Sequence, residues 1–157
     1  MLFYNARIFP VVGDVIPLGY IRTENSKIAE IASGTPKNIS SEDIDCGGLT
    51  LMPGLIDSHS HLGFIGDGAG MEGDDVNEAS DPVTPQLRAI DGINFTDGYF
   101  KDAQRCGVTC AVTGCGSTNP IGGTFAAIKT AGRYIDEMVV ADCAVKFALG
   151  ENPKSCY

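Results

Sequence analysis

The sequence predicts an α/β chain in two parts, a small β-rich portion over residues 1–50 and a longer portion over 51–157 where strands and helices alternate. Two observations predict it. Before residue 35, apolar residues fall at every second position in short runs, the period of a half-buried strand. After residue 49 the apolar runs become continuous, as in parallel strands buried on both faces, and glycine-rich loops and a helical stretch separate them.

Taken in order, Leu2–Phe9 alternates, Val15–Ile21 follows a Gly-Asp turn, and Lys27–Ala32 is apolar at nearly every second position until Gly34-Thr35-Pro36 breaks it. Such strands suggest a small, complete or partial β-sandwich. The run from Thr50 to Ile56 then reads as a buried strand that stops at His59-Ser60-His61. A long Gly- and Asp-rich segment follows, from Gly63 to Pro85; its acidic stretch Asp67–Asp81 reads either as a lid over substrate or as a solvated connection. Phe95, Tyr99, Phe100 and Ala103 have helical spacing, with Thr96 or Asp97 as the cap and Gly107 as the stop. Val108–Val112 predicts another buried strand. Residues 124–140 are ambiguous between strand and helix, and Cys143–Gly150 predicts a third buried strand ended by Glu151-Asn152-Pro153. Strands alternating with helices imply a parallel sheet.

Composition excludes several classes of function. Eleven Lys and Arg against 20 Asp and Glu give a net charge of -9, which offers no footprint for nucleic acid or an anionic membrane. No apolar run approaches the roughly 20 residues of a membrane span. The N-terminus has no charged region followed by an apolar one, so a cytoplasmic protein is expected. The six cysteines form no Cys-x-x-Cys pair and read as buried thiols in a reducing compartment.

His59 and His61 are the only two histidines. Residues i and i+2 of a strand share a face, so one metal ion fits between their rings. In isolation the pair reads equally as two imidazoles without a metal. The loop Gly114–Gly123 follows a strand, and its backbone amides around Gly116, Ser117 and Asn119 suit an anionic or carbonyl group of a substrate; a plain turn is the other reading. It matches no Walker or dinucleotide pattern.

Pro53-Gly54-Leu55-Ile56-Asp57-x-His59-x-His61 resembles the signature of the metal-dependent amidohydrolase superfamily. The likeness extends back through Asp45-Cys46-Gly47-Gly48 and forward to Ala103–Thr109, which is similar to that group's Ala-x-x-x-Gly-Val-Thr step from helix to strand. Asn77-Glu78, Pro82–Gln86 and Ile90–Asn94 most resemble the imidazolonepropionase-related members. The resemblance implies a small β-domain followed by a (β/α)8 TIM barrel, and hydrolysis of C–N bonds in cyclic or linear amides by metal-activated water. It implies a divalent metal, zinc first and iron as the alternative, with His59 and His61 as ligands. Asp57 becomes a supporting residue. A further ligand is expected near the third or fourth strand: Glu151 is the candidate, Lys146 as a carboxylated bridge its rival, and Lys154 a poorer one.

A barrel of this kind needs ~250 residues. After the β-domain this chain has room for roughly three or four βα units at ~30 residues each. It therefore reads as the N-terminal portion of such an enzyme, inactive alone because the general-base aspartate of the last strand is absent. The alternatives are a non-catalytic, self-associating partial barrel, or a half that needs a C-terminal partner. Open sheet edges make a homo-oligomer the expected state.

Overall fold

A computed structural model describes residues 1–66 and 70–157 and divides them into two units, Met1–Pro53 and Gly54–Tyr157. Part of the acidic stretch named above, residues 67–69, lies outside the described residues.

The first unit is built from β1 (Leu2–Ile8), β2 (Ile16–Glu24), β3 (Lys27–Ser33), β4 (Ile44–Asp45) and β5 (Thr50–Leu51). They form one five-stranded sheet in the order β3-β2-β1-β4, with β5 also paired to β1. Of the complete or partial sandwich expected, the described residues form one layer. β1, β2 and β3 are antiparallel neighbours, and Asn25 and Ser26, with φ of 49° and 59°, make the tight turn joining β2 to β3. Alternation along β1 buries Leu2, Ala6 and Ile8. β4 and β5 lie parallel to β1. The Asp43 carboxylate fastens this edge by accepting the Leu2 N–H at 2.8 Å.

The second unit holds β6 (Leu55–Ser60), a 3-10 turn (Gly70–Gly73), α1 (Ala89–Gly92), α2 (Tyr99–Arg105), β7 (Val108–Thr113), β8 (Ile121–Lys129), α3 (Ile135–Met138), β9 (Val139–Phe147) and α4 (Glu151–Cys156). The sheet order is β6-β7-β8-β9. It is mixed, which corrects the expectation of a parallel sheet. β6 and β7 are parallel, whereas β8 is antiparallel to both β7 and β9. The seven residues between β7 and β8 form a return loop, too short for the helical crossover that parallel neighbours require. β6, β7 and β9 consequently run the same way and finish at the edge where β8 begins.

The core lies on one face of this sheet. Ala126 and Ile128 of β8 pack with Phe64, Ala89, Ile93, Phe100 and Met138. Gly63 is required here, because its φ is 87° and a Cβ would sit 2.9 Å from Ile93 Cγ2. The Asp97 carboxylate accepts the Tyr99 N–H at 3.0 Å as α2 begins, and Gly107, with φ of 81°, follows its end.

The expected burial of the strands does not hold at the two ends of the sheet. Leu55 and Ile56 of β6 are 49% and 69% exposed, and β9 is exposed along most of its length. Each has a strand neighbour on one side only, so apolar side chains suited to a covered layer face open space. The cysteines also depart from expectation: all six are free, none is fully buried, and Cys106, Cys143 and Cys156 are exposed.

Candidate functional site

The last turn of β6 is irregular in a way that decides where its histidines go. Asp57 pairs with Ala111 and Ser60 with Thr113, so β6 spends one more residue than β7 over the same span. Such a bulge re-aims side chains at a strand end. The Asp57 carboxylate accepts the His59 backbone N–H at 3.1 Å. Thr113, fully buried, donates its hydroxyl to the Leu62 carbonyl at 2.8 Å, and the Ser60 hydroxyl donates to the Val112 carbonyl at 3.3 Å. These bonds clamp the segment carrying both rings to the end of β7.

The His59 and His61 ring centroids are 5.6 Å apart and nearly perpendicular, at 86°. Nδ1 of His61 lies 2.7 Å from the Gly114 carbonyl oxygen. A carbonyl only accepts, so Nδ1 carries a proton, and in the neutral ring the lone pair is on Nε2. Metal-binding imidazoles are oriented by such a bond on the other nitrogen.

Phe125 of β8 sits beneath both rings. Its centroid is 5.5 Å from that of His59 and 6.3 Å from that of His61, and Lys146 Nζ lies 5.8 Å from the same ring. Lys146 is on β9, near its C-terminal end. The structure therefore gathers His59, His61 and Lys146 around one aromatic side chain. Glu151 lies elsewhere, at the start of α4, where it is exposed and paired with Lys154 Nζ at 3.6 Å. Among the described residues no three His, Cys, Asp or Glu side chains converge as a metal-holding group. The side chains at this strand edge that could serve as donors are the two imidazoles and, once its amine is deprotonated or carboxylated, Lys146.

Two of the three loop candidates make contacts within the fold. Gly116 N–H donates to the Val76 carbonyl at 2.6 Å, and a side chain at Gly116 would overlap the Asn77 amide. Asn119 is buried, and its amide nitrogen donates to the Asp81 carbonyl at 2.9 Å and the Thr84 hydroxyl at 2.7 Å. Ser117 lines a cavity of about 290 Å³ with Phe147 and Asn152. Sequence reasoning missed Phe125 and the Gly114 carbonyl. Phe125 lay within a run ambiguous between helix and strand, and a backbone carbonyl has no signature in a sequence.

In sequence and in fold, the chain carrying this strand-end histidine pair matches the N-terminal part of amidohydrolase-superfamily proteins. The crystal structure of an amidohydrolase from Thermotoga maritima matches it with a TM-score of 0.92 and 37% identity, covering 99% of this chain and 40% of that one. Amidohydrolase tasK of Hapsidospora irregularis is 34% identical over 153 residues, which is 87% of this chain and 16% of that protein. The imidazolonepropionase of Streptomyces coelicolor is 28% identical over 82% of this chain and 37% of its own length. The chain thus spans well under half of each of these proteins. No family model matches it.

Proposed function

We propose that the chain is the N-terminal portion of a metal-dependent hydrolase of C–N bonds in cyclic or linear amides, with His59, His61 and Lys146 as its contribution to one metal centre. The observation that carries this reading is the His61 ring, whose Nδ1 is committed to Gly114 and whose Nε2 is free beside His59. Lys146 is preferred to Glu151 because it shares Phe125 with both histidines. Zinc suits neutral imidazoles, with ferrous iron second. When bound, such a cation activates water near neutral pH and polarises an amide carbonyl.

The chain's own residues orient the donors. Gly114 holds the tautomer of His61, Asp57 holds the backbone at His59, and β9 carries Lys146 to the same edge of the sheet. In this reading the parallel pair β6 and β7 opens a (β/α)8 barrel, and β8, antiparallel to β7, departs from the barrel pattern. The remaining ligands and the proton-accepting aspartate of such a centre would lie in the part of the matching proteins that this chain does not span. We further propose a cytoplasmic, self-associating protein, a reading that the six free thiols support for the compartment and the open strands β6 and β9 for the association. No helix among the described residues is long and apolar enough to cross a membrane.

Calorimetric titration with zinc tests this. The chain is expected to bind one zinc ion, His59→Asn or His61→Asn is expected to abolish binding, and the chain alone is expected to hydrolyse no amide. Binding that survives both substitutions, or amide turnover lost on chelation, would overturn the corresponding half of the reading.

A further inference from the structure

Resting on the metal-site reading above, we infer that Phe125 is the positioning residue of that site, the single surface on which His59, His61 and Lys146 are set. Phe125 is 3% exposed and lies in β8, between the strands that carry the other parts of the site. Small residues make room for its ring on both sides. Ala144 of β9 pairs with it across the sheet, and any side chain at Gly114 would overlap it. Gly114 therefore has two tasks: it leaves space for the ring and presents the carbonyl that fixes His61.

The three nitrogen-bearing groups do not depend on the ring equally. His61 has a second anchor in Gly114. Among the described residues, the only hydrogen bond recorded at His59 is through its backbone, so the ring tilted at 53° against Phe125 is what orients its imidazole. Lys146 is a flexible four-carbon arm, and before its amine is deprotonated or carboxylated the ring face draws its ammonium to within 5.8 Å of the Phe125 centroid. Without the ring, His59 and Lys146 lose their common support while His61 keeps its own.

Cobalt(II) tests this, because its visible absorption reports ligand geometry independently of catalysis. The full 157-residue chain, Phe125→Leu and Phe125→Tyr are titrated side by side, with circular dichroism and thermal melting as folding controls. Phe125→Leu, of similar volume but without a ring, is expected to bind about tenfold more weakly with a shifted spectrum, the scale of outer-shell substitutions at metal sites. Phe125→Tyr, which keeps the ring, is expected to stay within about threefold of the parent on that scale. Phe125→Met is the second ringless variant should Phe125→Leu not fold. A folded ringless variant with the parent's affinity and spectrum would overturn the role of Phe125 and leave the metal site standing. A folded parent that binds no cobalt would overturn the metal site itself, and this inference with it.

Discussion

His61 and Thr113 show how much at this site rests on single hydrogen bonds. The Thr113 hydroxyl is buried and donates to the Leu62 carbonyl, one residue past His61. Thr113→Val keeps the shape and removes the donor, leaving a carbonyl without a partner in a place shielded from water. The expected loss of stability is about 1–3 kcal/mol in denaturant unfolding, and a change below about 0.5 kcal/mol would show that this bond does not hold the strand end. Legibility at this scale was uneven. A pair of histidines one residue apart is visible in any sequence, since only two exist to be noticed. What orients them was not: Gly114 acts through its carbonyl, and Phe125 reads as ordinary core until its strand is placed. Glu151 and Lys146 could be separated only in three dimensions, because both lie near the end of the same apolar run.

Among the elements, the strands with a clear period and punctuation were legible: β1, β3, β7 and the helix ending before Gly107. The direction of β8 was not, because an apolar run reads alike up or down a sheet. Nor was the exposure of β6 and β9, since continuous apolar runs announce a need for cover without showing whether cover is present. The edge at β4 is acid-sensitive. Backbone N–H groups of Ser40 and Leu2 lower the Asp43 carboxyl below its ordinary value, and the Gly47 N–H and the Asn5 amide do the same for Asp45. For carboxyls lowered in the folded state, the stabilisation is present above their unfolded value and is lost as pH falls through the lowered one. An acid titration followed by circular dichroism is expected to show the first unit loosening below the ordinary aspartate range. Asp43→Asn should flatten part of that dependence; an unchanged profile would remove Asp43 as its source.

At the scale of the whole molecule, both ends of the second unit's sheet are open. Val140, Val145 and Phe147 on β9 are 57%, 45% and 61% exposed, and Leu55 and Ile56 are bare on β6. Open edges flanked by apolar side chains recruit further strands. Sedimentation of the isolated chain is expected to show association that grows with concentration, and a monomer at high concentration would count against it. Co-purification with a separate C-terminal half is the competing result.

The order of the strands also explains the length of one side chain. Three strand spacings separate β6 from β9, roughly 14 Å in a flat sheet. A carboxylate on a one-carbon stem at the position of Lys146 would fall far short of the histidines. Lysine's longer stem carries its nitrogen to 5.8 Å from the Phe125 ring on β8, one strand nearer the histidines. In the proposed site Lys146 is thus the member most exposed to the sheet's shape: a shift of β9 away from Phe125 would reach it before it reached either histidine.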